Sequence, residues 1–476
     1  MKEKKNLMKL ILYIGLIFVV AAMPFMAIYV YAVNQPATYK ESYYAALPIK
    51  YDRIEQVEGA KIVVIGGSSV AFGLDSKLVE QELQMPCVNF GLYAAFGLKP
   101  MLDLSVDAIG KGDIVVIAPE LSSQMYSDYV GYDFLLQACE QRSDMAFSLG
   151  ITYAPGLMSK FPAYIEEVNK LQALGGLKVN GVYTVASFDA YGDIIYEREH
   201  NIMDGMYSKD NLPEINANMV TDQFAKMLNE YAQKVEAKGA KVYFGFCPVN
   251  ALSVENISQE DRNAFLNNLE EKLEFEVIAS LDDHIMDAGY FYDSNFHTND
   301  AGMILNTVLL INDLKRVSMD MSVSTNIEIP KPPAGPADQV VLATGTQDGF
   351  HYEVTASGVT ITGLDDAAMK LEKLEIPEQI ANYVVIKIGE KAFAGCSAKE
   401  IVLPRTITVL SAELFYEAKS LTSVYLMSER LPEVGGSLLT GANENVKIYV
   451  PKDWYSNYVT DYFWGVYAEH IESGDY

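Results

Sequence analysis

The run Lys61-Ile62-Val63-Val64-Ile65-Gly66-Gly67-Ser68-Ser69-Val70-Ala71-Phe72-Gly73 decides how the rest of the chain is read. Ile62 to Ile65 are all β-branched, with no polar alternation, so they predict a short strand buried on both faces. The run stops abruptly in glycines and serines, small residues that permit a tight turn and expose serine hydroxyls. In an open α/β sheet the carboxyl end of a strand is where ligands sit. A turn of this composition also occurs as a plain connection.

The same pattern of lead-in and strand recurs. Glu58-Gly59-Ala60-Lys61 precedes Ile62, Lys111-Gly112-Asp113 precedes Ile114, and Lys238-Gly239-Ala240-Lys241 precedes Val242. Each glycine is placed to end a helix, and each strand is short and apolar enough for a buried parallel sheet. Strand and helix in alternation from about residue 58 predict an α/β doubly wound domain over 58–316. Within it Met219, Phe224, Met227, Leu228, Tyr231 and Val235 fall at helical spacing, so a helix is expected between 217 and 237. The tyrosine-rich stretch 126–211 is less regular and reads as a long insertion or lid.

Near the domain's end stands Tyr290-Phe291-Tyr292-Asp293-Ser294-Asn295-Phe296-His297-Thr298-Asn299-Asp300-Ala301-Gly302, followed by an apolar helix to about Lys315. Thr298 or Asn299 can cap that helix, which leaves His297 on the loop before it. The chain has only 5 histidines, so one held at a helix entrance is informative.

Taken together, the serine turn and the Asp/His segment make 61–315 resemble the SGNH (GDSL-like) hydrolases and acyltransferases. The resemblance implies a three-layer, flavodoxin-like parallel sheet. The family's Gly-Asp-Ser block has a glycine four residues beyond its nucleophile, and that offset to Gly73 selects Ser69 over Ser68. Val88-Asn89-Phe90-Gly91-Leu92 looks like the second block, so Gly91 is expected to join Ser69 in donating backbone N–H groups to an oxyanion. Asp293 and His297 stand in the closing block. A serine hydroxyl attacks only when a histidine takes its proton, and that histidine needs an acceptor on its other nitrogen; Ser69, His297 and Asp293 supply these roles. Two departures accompany the match. Ser294 holds the position three before the histidine where the family has its aspartate. The third block's asparagine has no counterpart, since the strand from 113 to 118 runs into Pro119-Glu120-Leu121-Ser122-Ser123; Asn250 and Ser122 are the candidate substitutes. His284, beside Asp282 and Asp283, is a rival to His297 but lacks the helix that follows it.

Residues 7–33 carry one charge, Lys9, and are long enough to span a bilayer as a helix. The lysines among residues 1–6 place that end in the cytoplasm, with a stem over 34–57 and the remainder outside. A cleaved signal peptide is the alternative, though its apolar core is usually only about 7 to 15 residues. A formal net charge of -27 argues against nucleic acid as a partner. Cys87, Cys139, Cys247 and Cys396 show no metal or disulfide spacing, and neither a metal nor a cofactor is implied.

After Arg316 a linker over 317–339 carries Pro330, Pro332, Pro333 and Pro336 and offers few contacts to couple its neighbours. Beyond it, over 340–476, Ile388-Gly389-Glu390-Lys391-Ala392-Phe393 recurs as Leu410-Ser411-Ala412-Glu413-Leu414-Phe415, a spacing of 22 residues and in the leucine-rich-repeat range. Leu374-Glu375-Ile376-Pro377 and Val446 to Pro451 read as further copies. These resemble the BspA-type leucine-rich repeats of bacterial surface proteins, and serve either as a ligand-binding surface or as a β-rich spacer. Two functions follow from these readings. One is a membrane-anchored extracytoplasmic serine esterase or O-acyltransferase acting on an acyl ester, such as an acylated cell-envelope glycan. The other is a non-catalytic surface protein whose α/β domain is a degenerate hydrolase.

Overall fold

The computed structural model describes residues 2–33, 37–174, 176–177, 179, 181–209, 211–317, 325–333, 341–461 and 463–474. Helix α1 (Lys2–Val33) carries the apolar run. Some of its side chains lie outside the described residues, and counting only those described no helix is long and apolar enough to cross a membrane. The expected span over 7–33 therefore rests on the amino-acid sequence alone. The described apolar side chains of α1, such as Leu12, Leu16 and Ile17, are exposed.

The α/β unit begins with α2 (Ala46–Gln56), β1 (Ile62–Gly66), α3 (Ser68–Gly73), α4 (Ser76–Leu83), β2 (Cys87–Gly91), α5 (Leu98–Ser105) and β3 (Ile114–Ile117). An insertion follows, with α6 (Tyr132–Ala138), α7 (Ser143–Ser148) and α8 (Ala154–Ala173). The unit closes with α9 (Asp222–Glu236), β4 (Lys241–Phe244), β5 (Val249–Asn250), α10 (Gln259–Lys272), β6 (Glu276–Val277), β7 (Ile285–Met286) and α11 (Asp300–Val317). Five strands pair in parallel in the order β2-β1-β3-β4-β6. The direction of winding reverses between β1 and β3, which is where an open sheet of this kind leaves its ligand crevice.

Alternation along the strands feeds two cores. Val63, Ile65, Val88, Phe90, Val115, Ile117 and Phe244 share one with Leu47, Leu102, Phe224 and Phe265 from the helices on that face. Ile62, Val64, Ile114 and Val116 share the other with Val79, Leu83, Ile311 and Leu314. Every residue of β1, β2 and β3 is buried, as the unbroken apolar character of β1 and β3 requires, and the one polar residue among them, Asn89 of β2, is hydrogen-bonded. The lead-ins to β1 and β3 are clamped together, with Lys61 donating its backbone N–H to Asp113 at 2.9 Å and its ammonium lying 3.1 Å from the same carboxylate. Gly112 and Gly239 adopt φ of 88° and 94°, the left-handed region where a side chain is strained.

Helix α9 starts at Asp222 rather than 217, because Thr221 caps it by accepting the Phe224 N–H at 3.1 Å and 217–219 form a separate turn. Asn299 caps α11, its Oδ1 accepting the Gly302 N–H at 3.0 Å. Of the linker, 318–324 and 334–339 lie outside the described residues. The prolines between them lie against the α/β unit: Tyr290 donates its hydroxyl to the Pro330 carbonyl at 2.9 Å, and Gly289 leaves room for Pro332 and Pro333.

The C-terminal region stacks in register. One parallel ladder joins Lys373–Glu375, Glu400–Leu403, Ser423–Leu426, Lys447–Pro451 and Ile471–Gly474. Leu374, Ile401, Val424, Ile448 and Ile471 lie beside one another along it. A second ladder pairs Ile388 with Leu410 and Leu410 with Val434, and a hairpin of Ala343–Gln347 and Phe350–Val354 extends its edge. Phe393 and Phe415, one repeat apart, stack at 6.2 Å. Each copy closes its core only against its neighbours, as a solenoid does.

Candidate functional site

The turn after β1 holds the candidate site. Gly67 separates the strand from α3, whose first residue is Ser68. The Ser68 hydroxyl lies 2.7 Å from Nε2 of His297, and Nδ1 of His297 lies 2.8 Å from Oδ1 of Asp293. With the ring proton on Nδ1, directed at the carboxylate, Nε2 is left to accept the serine proton. Phe72 backs the imidazole face to face, ring centroids 4.0 Å apart and 8° from parallel. Arg198, wholly buried and 3.3 Å from Asp300, lies over the Phe72 ring at 5.3 Å. Ser68 and His297 are only 7% and 8% exposed, so the two side chains meet in a nearly closed space.

The hydroxyl facing His297 belongs to Ser68 and not to Ser69, the residue expected from the family offset. Successive residues of a helix point about 100° apart, so only one of two adjacent serines can face the imidazole. Ser69 is wholly buried and turns to a cavity of about 20 Å³ lined also by His284, Asn306 and Asp313. Gly73, which set the offset, serves packing: its carbonyl accepts from Nδ2 of Asn306 at 2.8 Å, and a Cβ there would lie 3.0 Å from the same atom. His284 lines that same cavity, 3.6 Å from Asp313 and on Ser69's side of the turn.

The extra residue before His297 is taken up in the loop. The Tyr292 N–H bonds to the His297 carbonyl at 2.9 Å, closing a short loop with Asp293 and His297 on one side. Ser294 and Asn295 turn to the other: Ser294 Oγ accepts from Asn211 at 2.8 Å, and Asn295 donates to the Ser208 carbonyl at 2.7 Å and accepts the Ser208 N–H at 3.0 Å. Asp293 gains a second donor in Tyr183, whose hydroxyl donates to Oδ2 at 2.6 Å and lies 3.3 Å from Nδ1 of His297. Tyr183 sits in the irregular insertion, where no spacing marks it. Because a hydrogen bond to a charged group is worth about 1.5–3 kcal/mol, Tyr183→Phe should slow labelling of Ser68 by a serine-reactive phosphonate about 10-fold to 100-fold. An unchanged rate would mean that Asp293 needs no help to hold His297.

The expected oxyanion donors are engaged elsewhere. The Gly91 N–H bonds to Asn89 Oδ1 at 3.2 Å, and Asn89 is fixed by Lys50, Val70 and Asp193. Burial lowers the Lys50 ammonium to about 7 and raises the Asp193 carboxyl. Gly91 is glycine for space, since a Cβ would lie 2.4 Å from Val70. The Ser69 N–H bonds to Oε1 of Glu120 at 2.6 Å. Asn250 donates to the Met206 carbonyl and accepts the Leu252 N–H, and Ser122 accepts the Met125 N–H, so both substitutes build their own turns. Glu120 instead occupies the exit of β3, 3.2 Å from the Ser68 hydroxyl. The stretch 119–123 carries no asparagine where the family pattern has one, and nothing local to it marks Glu120 for this place.

Residues 367–464 match the family described as BspA type leucine rich repeat region, in six copies. This stretch is a BspA-type leucine-rich-repeat region. The repeats point to a surface- or adhesion-type protein. No curated protein matches the chain. Among solved structures, the crystal structure of protein YXIM from Bacillus subtilis aligns over 55% of this chain and 57% of its own, little more than half its length, with 12% identity and a TM-score of 0.27. A likeness that slight carries nothing about the site.

The BspA-type repeats reach the neighbourhood of Asp293 and Tyr183. Phe463 packs edge-on against Tyr183 at 5.5 Å, and Lys209 pairs with Glu390 at 2.9 Å. Burial, and then the charge of Asp293, push the carboxyl of Glu433 above the usual range. The linker therefore joins two units that touch beside the site, which its proline content does not foretell.

Proposed function

We propose that the α/β unit is a serine-nucleophile esterase or O-acyltransferase of the SGNH type, with Ser68 as nucleophile, His297 as base and Asp293 as its orienting acid. The observation that carries this reading is the continuous chain of contacts from Ser68 Oγ through both ring nitrogens of His297 to Asp293, at 2.7 and 2.8 Å. In the reaction, Ser68 Oγ attacks the ester carbonyl as Nε2 of His297 takes its proton. His297 then returns that proton to the departing alkoxide, leaving an acyl-serine that water or a second hydroxyl resolves. The two ends of that sequence differ only in the acceptor, so hydrolysis and transfer share one site. An acylated cell-envelope glycan is the substrate class that fits an anchored enzyme with surface repeats.

The test is labelling of the purified full chain by a fluorophosphonate, with turnover of a small acetyl ester. Protein that neither labels nor turns over ester would sink the catalytic reading. A non-catalytic surface protein is the second reading, favoured by the engagement of the Gly91 and Ser69 N–H groups with Asn89 and Glu120.

Anchoring by residues 7–33, with the amino terminus inside, belongs to the same proposal and is supported by the near absence of charge in that run and the exposed side chains of α1. Protease added to cells stripped of their wall should then remove the repeats. Full protection of the repeats would contradict this topology.

A further inference from the structure

We propose that Glu120 determines which esters the site accepts, favouring those that carry a positively charged nitrogen near the reacting carbonyl; this rests on Ser68 being the nucleophile. Oε1 of Glu120 lies 3.2 Å from Ser68 Oγ and holds the Ser69 N–H at 2.6 Å. The other oxygen, Oε2, is buried without a hydrogen-bond partner among the described residues, and Glu120 as a whole is 3% exposed. A buried carboxylate oxygen left unpaired is costly unless something of opposite charge or with a donor arrives to meet it. The backbone is shaped to admit the group, because a Cβ on Gly67 would lie 2.1 Å from Oε2. The carboxylate is thus a built part of the turn and not a side chain that strayed into it.

Its position has a chemical consequence. When Ser68 Oγ bonds to an ester carbonyl carbon, the carbonyl oxygen becomes negative within reach of Glu120, and two like charges in a dry site oppose each other strongly. A neutral ester gives no relief. An ester with a cation a few bonds from the carbonyl sets that cation against the unpaired Oε2 and offsets the repulsion as it forms. Ser68 also has one proton and two acceptors, Nε2 of His297 at 2.7 Å and Oε1 of Glu120 at 3.2 Å, and the shorter contact keeps His297 as base.

The experiment compares acetylcholine with 3,3-dimethylbutyl acetate, an uncharged ester of nearly the same shape, on the full chain, its Glu120→Gln variant and its Ser68→Ala variant. Gln keeps an acceptor for the Ser69 N–H while removing the charge. Wild type is expected to favour acetylcholine in kcat/KM by about 10-fold or more, and Glu120→Gln to erase that preference and to speed the neutral ester by about 100-fold. A role for Glu120 in folding alone would not change the ratio. Equal kcat/KM for the two esters in wild type, with turnover lost in Ser68→Ala, overturns the proposal and leaves the triad standing. This wild-type ratio decides the matter even if the Gln variant does not fold. If neither wild type nor Glu120→Gln turns over either ester through Ser68, the triad reading falls and the assignment of Glu120 falls with it.

Discussion

Ser68→Ala should abolish phosphonate labelling and ester turnover, a loss on the order of a million-fold in turnover if the triad acts as other serine triads do, whereas Ser69→Ala should keep most of both. The difference follows from one turn of geometry. Ser68 Oγ is the hydroxyl in contact with His297, whereas Ser69 lines the cavity on the other side of the turn. Removing Ser68 Oγ deletes the bond-forming atom. Removing Ser69 Oγ deletes a buried hydroxyl whose neighbour is the Cys247 thiol, a weak partner, so the cost to the fold is small. The Ser69 N–H, which Glu120 uses, is untouched by the change. Labelling that disappears in Ser69→Ala and persists in Ser68→Ala would reverse the assignment and show that α3 is rotated in the working protein. His297→Ala should match Ser68→Ala, and the double variant should lose no more than either, because members of a triad fail as a unit.

The choice between the two serines also shows where the amino-acid sequence stops informing. Strand β1 and its parallel neighbours are written in apolar, largely β-branched runs because both faces are buried, and the repeat ladder in an alternation that buries one face. The cap of α11 is equally legible, because Asn299 satisfies the Gly302 N–H through contacts four residues long. A nucleophile's identity depends instead on the residue at which the helix after β1 begins, and a shift of one changes direction by about 100°. A glycine offset borrowed from a family does not measure that start, and here Gly73 answers to Asn306. Tyr183 and Glu120 were illegible for a related reason. Each reaches the site from more than 50 residues away in the chain, through bonds to Asp293 and Ser68 that no local period encodes. The contact of Phe463 with Tyr183 crosses from one unit to the other and depends on how the two dock.

Asp293→Asn should lower turnover about 10,000-fold while leaving the fold and the phosphonate-accessible serine in place. The carboxylate accepts on both oxygens, from Nδ1 of His297 on one and from Tyr183 on the other. An amide in its place has one acceptor and one donor. If the Asn oxygen keeps the Tyr183 hydroxyl, the amide N–H₂ faces Nδ1 and drives the ring proton to Nε2, where it meets Ser68 and can no longer accept. If the amide turns the other way, Tyr183 loses its acceptor and the imidazolium that forms during attack loses its counter-charge. Either outcome disables the base without removing it. Tyr183→Phe in the Asp293→Asn background should then have little further effect, since both act through the orientation of His297 and residues in one network do not add. Retention of activity within about 10-fold would mean that Asp293 is not the orienting acid, the extra residue in the loop notwithstanding.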